Sequence, residues 1–441
     1  MRIPSSGRRP AASTKVRPED RFLAAFAKRS TGTNGWLGDL RAEAAECLAA
    51  HGFPTRRSEA WKYTNIGSVL RREFSFDLPN TGDSANWSDI AQLDAHEAAF
   101  ENGRYLPSAS QLSDLPPGVL VMGLADAAES HTWLVRLHLG QVADAKRCSF
   151  VALNTLLGRD GALVFVPRGT QLEKPIHLIQ RITASRDTLV QPRILVVAEE
   201  NARVTLVQST VAADATSSFT NSVTEVFVGR NAYVARVDIQ AGSPDRNEVS
   251  SLDVTQQTGS TFSNHSFTLG GAIVRNNINV LADAEQCETY LNGLFLADGS
   301  THVDNHTLVD HAQPNCFSSE FYKGILNDRA TGVFNGKVLV RQDAQQINAY
   351  QSNKSIVLSD TARMFSKPEL EIYADDVKCS HGATTGELDK EAVFYLRTRG
   401  LTEKQARALM LVSFAREVVD RLAIEPVRDL VDSMVTERLG A

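Results

Sequence analysis

Between residues 161 and 385 the apolar positions fall in short alternating or β-branched runs, each broken by Gly, Asn or Asp. Few of these runs show a 3.6-residue period, and Val, Thr, Ile, Asn and Gly dominate, so the pattern predicts strands. The runs also echo one another. Val-x-Asn occurs at Val274, Val303 and Val333, at intervals of 29 and 30 residues. A second marker lies between these positions: Asn292-Gly293-Leu294-Phe295, Lys323-Gly324-Ile325-Leu326 and Lys354-Ser355-Ile356-Val357, at intervals of 31 and 31. Asn201-Ala202 and Asn231-Ala232 are 30 apart, each followed by a strand-like run. Two markers sharing one period, out of phase, imply two strands per turn of ~30 residues.

The predicted fold is mainly β with flanking α: a right-handed parallel β-helix over 161–385 with helical regions on either side. A sandwich of antiparallel hairpins would instead show tight turns every ~8–12 residues. In a solenoid each strand pairs with the next turn, so only the two ends present bare edges, which need a cap or another chain.

The flanks read differently. Residues 19–160 are expected to be mostly helical, starting at Pro18-Glu19-Asp20, where acids occupy a first helical turn. A second helix covers roughly Trp36 to Ala50 and stops at Gly52 and Pro54. Arg56-Arg57-Ser58-Glu59-Ala60-Trp61-Lys62-Tyr63-Thr64 reads, taken alone, as a helix end on a domain surface. Residues 75–90 are polar and turn-rich, as in a loop or linker. Further helical stretches are expected near 124–139 and 150–157. After residue 386, Leu388–Arg399 forms a short helix, Thr402-Glu403-Lys404-Gln405 opens a longer one with a capping box, and Pro426 opens the last. In the longer helix Ala406, Met410, Phe414, Val418 and Leu422 form an i, i+4 stripe. Met410, Phe414 and Val418 are the candidate partner-binding residues. The competing reading packs the same stripe onto the solenoid.

Composition narrows the function. The net charge of −6 is spread along the chain, without the basic stripe of a nucleic-acid binder. No apolar run approaches the ~18 residues of a membrane span. Cys47, Cys148, Cys287, Cys316 and Cys379 are few and scattered, which favours a reducing cytosol over a disulfide framework. Residues 1–18 carry Arg2, Arg8, Arg9, Lys15 and Arg17 and no acid, and read as a disordered basic tail rather than a targeting segment.

Candidate chemistry is sparse. Val377, Cys379 and His381 share one face of a strand-like run, with Lys378 and Ser380 on the other. A thiolate beside an imidazole suits iron or zinc. A free thiol with pKa ~8.5 is mostly protonated at neutral pH, and Lys378 or a metal would raise the thiolate fraction. Two ligands do not close a site, so others must come from elsewhere, including a second chain. The bland alternative is a small buried Cys beside a hydrogen-bonded His. His302, His306, His311 and Cys316 fit no zinc spacing, and the histidines are expected to face solvent. Gly332–Val338 lacks the spacing and the Ser or Thr of a phosphate loop, so an ATP-driven step would belong to a partner.

Several stretches together resemble the SufB/SufD family of the SUF iron–sulfur cluster assembly system. They are Glu59–Thr64, Asp160–Gly169, Lys174-Pro175-Ile176-His177, Asp310–Cys316 and above all Lys323–Gly386, ending in Asp376-Val377-Lys378-Cys379-Ser380-His381-Gly382. The Trp61 motif and the Cys379-x-His381 ending fit its SufD branch better than SufB. The resemblance implies a parallel β-helix, a non-enzymatic scaffold and a SufB–SufC–SufD complex. In that complex SufB pairs through the solenoid end, and the ATPase SufC docks on the C-terminal helices. It implies His381, with Cys379 as the weaker candidate, as a site for a nascent, transient iron–sulfur cluster shared with SufB. Whether a flavin binds is not legible. The rival function is a β-helix carbohydrate-active enzyme using Asp304 and Asp310 as acid and base, although such enzymes are usually exported. An acyltransferase solenoid would need a hexapeptide period, which is absent.

Overall fold

The computed structural model describes residues 17–29, 35–76, 90–183, 187–212 and 218–440. The basic tail up to residue 16 and most of the turn-rich stretch, 77–89, lie outside them. The strands form a parallel β-solenoid of about seven turns and about 29 residues per turn. Through the solenoid, strands alternate between two sheets of ten described strands each, so each inner strand hydrogen-bonds to the turn before and the turn after. One sheet runs from Ile176–Ile182 to Val377–Gly386 and the other from Gly161–Val166 to Arg363–Ile372.

Pairing is in register, which decides what each repeat marker meant. Ala202 and Ala232 stack, because Arg203 pairs with Tyr233, and Val274 pairs with Val303. Val303, however, pairs with Gly332, leaving Val333 one residue out of step. Gly293 pairs with Tyr322, and Gly324 with Phe295. Each glycine thus leaves room for an aromatic ring on the neighbouring turn. A Cβ on Gly324 would collide with the Phe295 ring at its Cζ. Gly324→Ala is therefore expected to cost about 1–3 kcal/mol by overpacking, read as a lower urea midpoint. One corner of each turn uses a left-handed residue: Asn201, Asn231, Gly259, Gln286, Asn315 and Gln346, all with φ between 54° and 68°.

The strand stacks begin before residue 161. His96–Glu101 pairs in parallel with Ile176–Ile182 and antiparallel with Arg104–Tyr105, and Leu120–Gly123 pairs antiparallel with Gly161–Val166. These strands are too short for their alternation to stand out in the sequence. The antiparallel pairs turn the starting end away from further parallel stacking. Helices Pro18–Arg29, Trp36–His51 and Ser149–Leu157 cover the second sheet, with Phe22, Leu48, Trp61 and Phe150 packed on Phe219 and Val249. Helices Lys390–Thr398, Glu403–Val419 and Glu425–Leu439 follow the last strand. The second of them starts at the Thr402–Gln405 capping box.

Candidate functional site

The solenoid's last turn carries the site. Among the described residues Val377–Gly386 pairs only with Ile347–Val357, and Arg363–Ile372 only with Thr331–Val340, so neither has a further described strand on its outer side. Cys379 sits in register with Ala349, and His381 with Gln351. Ala349 and Gln351 are buried, so Cys379 and His381 lie over the solenoid interior. With no turn above them, Cys379 is half-buried and His381 exposed. Burial pushes the Cys379 thiol up, against a smaller opposing hydrogen bond from the Ala349 backbone. Lys378, on the opposite face, does not reverse that direction. Among the described residues no group of three or more His, Cys, Asp or Glu side chains is placed to hold a metal ion.

The other sequence candidates have structural partners. The expectation that His302 and His306 face solvent is corrected. The 59–64 segment lies on the surface with Glu59, Ala60 and Lys62 exposed, and it turns Trp61 and Thr64 inward to clamp over them. Thr64 Oγ1 meets His302 Nε2 at 2.8 Å, and the Thr64 hydroxyl also donates to Asp304. His306 Nε2 is 3.0 Å from Asp304. Arg275 reaches Asp304 at 2.6 Å and lies 3.8 Å over the Trp61 ring. Tyr63 stacks on Phe365 of the last turn at 4.3 Å. His311 is also buried, with Nε2 2.9 Å from Ser318 Oγ, and Cys316 is buried beside it. Asp304 is sealed in this clamp, whereas Asp310 forms a two-point pair with Arg341 at 2.8 and 2.9 Å. Six residues along one strand separate the two carboxyls by ~20 Å, too far for a glycosidase pair at ~5–10 Å. Gly332–Val338 lies within the strand Thr331–Val340, not in a loop.

The C-terminal stripe faces inward. Val418 is fully buried, and Met410 and Phe414 pack on the same cluster as Ile239, Phe267, Leu294 and Ile325 of the first sheet. Lys323 fixes this contact. Its Nζ donates to the Phe414 carbonyl at 2.9 Å, pairs with Glu417 at 2.8 Å and sits 3.9 Å over the Phe414 ring. Met410, Phe414 and Val418 thus pack toward the solenoid, and the helices leave Phe394 (67% exposed), Tyr395 and Leu409 outside. Among the described residues no helix is long and apolar enough to cross a membrane.

A family model described as SUF system FeS cluster assembly, SufBD core domain, matches residues 180–414, and one described as SufBD protein N-terminal region matches 24–178. The chain belongs to the SufBD family. It is 32% identical to an iron–sulfur cluster assembly SufBD family protein of Synechocystis, over 96% of each chain. It is 28% identical to the iron–sulfur cluster assembly protein SufD of Escherichia coli, over 89% of this chain and 90% of that one. Against SufD of Bacillus subtilis it is 25% identical over 97% and 99%. The SufBD core match runs through the bare last turn and into the helix Glu403–Val419. Sequence reasoning missed three residues of this SufBD chain: Lys323, Glu320 and Gln351. Each is polar and buried within a strand, and its partners appear only in the folded chain: Glu320 and Gln351 meet through stacked turns, and Lys323 meets the helix Glu403–Val419.

Proposed function

We propose that this chain is a non-enzymatic scaffold subunit for iron–sulfur cluster assembly, acting in the cytoplasm in a SufB–SufC–SufD complex. The observation that supports this reading best is an incomplete donor pair, His381 and Cys379, over the interior of an edge strand with no outer neighbour. A strand from a second solenoid would satisfy that edge and bring further donors over the same opening. The cluster is cargo held across the interface by His381, with Cys379 the weaker donor because burial favours its protonated form. SufC docks on the outer face of the C-terminal helices around Phe394, Tyr395 and Leu409. Its ATP turnover pulls on helices that Lys323 ties to the solenoid, next to the pairing edge.

The test is reconstitution with ferrous iron and sulfide in the SufB–SufC–SufD complex, with cluster read by its visible absorption. His381→Ala is expected to lower the yield by roughly ten- to a hundredfold, the scale on which perturbing a metal site weakens it. Cys379→Ser is expected to lower it less. An undiminished yield with His381→Ala sinks the role given to that residue.

A further inference from the structure

We infer that Gln351 is a positioning residue for His381: its side-chain oxygen, unpartnered in the structure, accepts the imidazole N–H once the exposed ring turns onto it, leaving the other ring nitrogen for iron. The chemistry on that nitrogen rests on the scaffold reading; the hydrogen bond does not. Glu320, Gln351 and His381 stack in register on three successive turns of the first sheet. Thr307 and Gly336 stack on the second sheet. The Thr307 hydroxyl donates to Glu320, and Gln351 Nε2 donates to the other Glu320 oxygen at 3.3 Å. Gln351 is 3% exposed, and its Oε1 has no hydrogen-bond partner among the described residues. Room for the amide comes from Gly336, where a Cβ would collide with Gln351 Nε2.

An amide's nitrogen and oxygen point apart. With Nε2 held toward Glu320 on the turn below, Oε1 is offered to the turn above. The residue in register there is His381, one strand spacing of ~4.8 Å away. A buried acceptor left unpaired costs the full desolvation of that group, so an N–H from the next turn has a ready site. A neutral imidazole carries one N–H and one lone pair, so fixing the N–H fixes which nitrogen can bind metal. Metal-ligating histidines usually give their second N–H to such an acceptor.

The test needs no iron and uses the full chain labelled with 15N-histidine. His381→Ala identifies the His381 signals, and the tautomer ratio of the neutral ring is then read from its nitrogen shifts. Gln351→Met removes the acceptor at nearly constant volume, and Gly336→Ala keeps it but pushes the amide aside. Both are expected to move the ratio toward that of free histidine by roughly fivefold, the worth of one net hydrogen bond. A purely structural role for Gln351 would shift the unfolding midpoint and leave the ratio alone. Identical ratios in wild type and both variants overturn the inference and leave His381's role standing. An unaffected cluster yield in His381→Ala would instead sink the ligand role given to His381 and leave the hydrogen bond intact.

Discussion

Replacing Arg275 by alanine is expected to destabilise the chain by about 3–5 kcal/mol, the cost of breaking a buried ion pair from one side. The guanidinium is 2% exposed and holds four groups at once. It reaches Asp304 at 2.6 Å, the Ala60 carbonyl at 2.7 Å and Asn277 at 2.9 Å, and it lies against Trp61. Without it Asp304 is left as a buried carboxylate with only the Thr64 hydroxyl and His306 for company. Adding Asp304→Asn is expected to recover part of the loss, because the orphaned charge disappears. The pH dependence follows from the same pair. Burial by itself would raise the Asp304 carboxyl. Arg275 and His306, with hydrogen bonds from His306 and Thr64, overcome that and hold it well below the usual carboxylate range. A depressed acid stabilises the fold above its unfolded pKa of ~3.9 and loses that contribution as pH falls below it. The gap in urea midpoint between wild type and Arg275→Ala is therefore expected to be largest while Asp304 is ionised in both and to narrow as pH falls and the variant's Asp304, raised by burial without Arg275, takes up a proton first. A gap that stays constant into acid would mean that the Asp304 pair is not what Arg275 supports.

The period of the solenoid is legible because strand alternation and turn residues recur with it, but the register is not. Paired residues lie 26 apart between Asn247 and Ile273 and 32 apart between Thr331 and Arg363. Turns of varying length absorb such differences without disturbing the ladder, so Val333 and Gly293 keep a motif while losing the position. The Cys379–His381 face was legible from parity within one strand. What lies beneath was not, because Gln351 and Glu320 sit one and two turns earlier. The Arg275–Asp304–Thr64 clamp was hidden for the same reason, since Thr64 and Asp304 are 240 residues apart. Histidines with strand parity looked solvent-facing because nothing in their own strand announces the segment that covers them. The stripe on Glu403–Val419 was visible, whereas the choice between solenoid and partner depends on Lys323 and the first-sheet apolar face.

That choice makes Val418→Asp the sharpest test of the C-terminal region. Val418 is fully buried in a cluster that includes Ile239, Phe267 and Leu294. A carboxylate there would sit among apolar side chains, and a buried unpaired charge belongs to the severe class of substitutions, roughly 4 kcal/mol or more. The full chain is expected to unfold at markedly lower temperature, in the absence of any partner. Phe394→Asp acts at a side chain that is 67% exposed, so its effect on stability is expected to stay within about 0.5 kcal/mol. If the helices dock an ATPase by their outer face, Phe394→Asp releases it from the complex at an unchanged unfolding temperature. Should Val418→Asp instead keep the wild-type unfolding temperature and release the ATPase, the stripe is the docking surface and its packing on the first sheet is wrong. The two variants separate holding the helix in place from presenting it, because Lys323 secures one face of the helical region and the other is exposed.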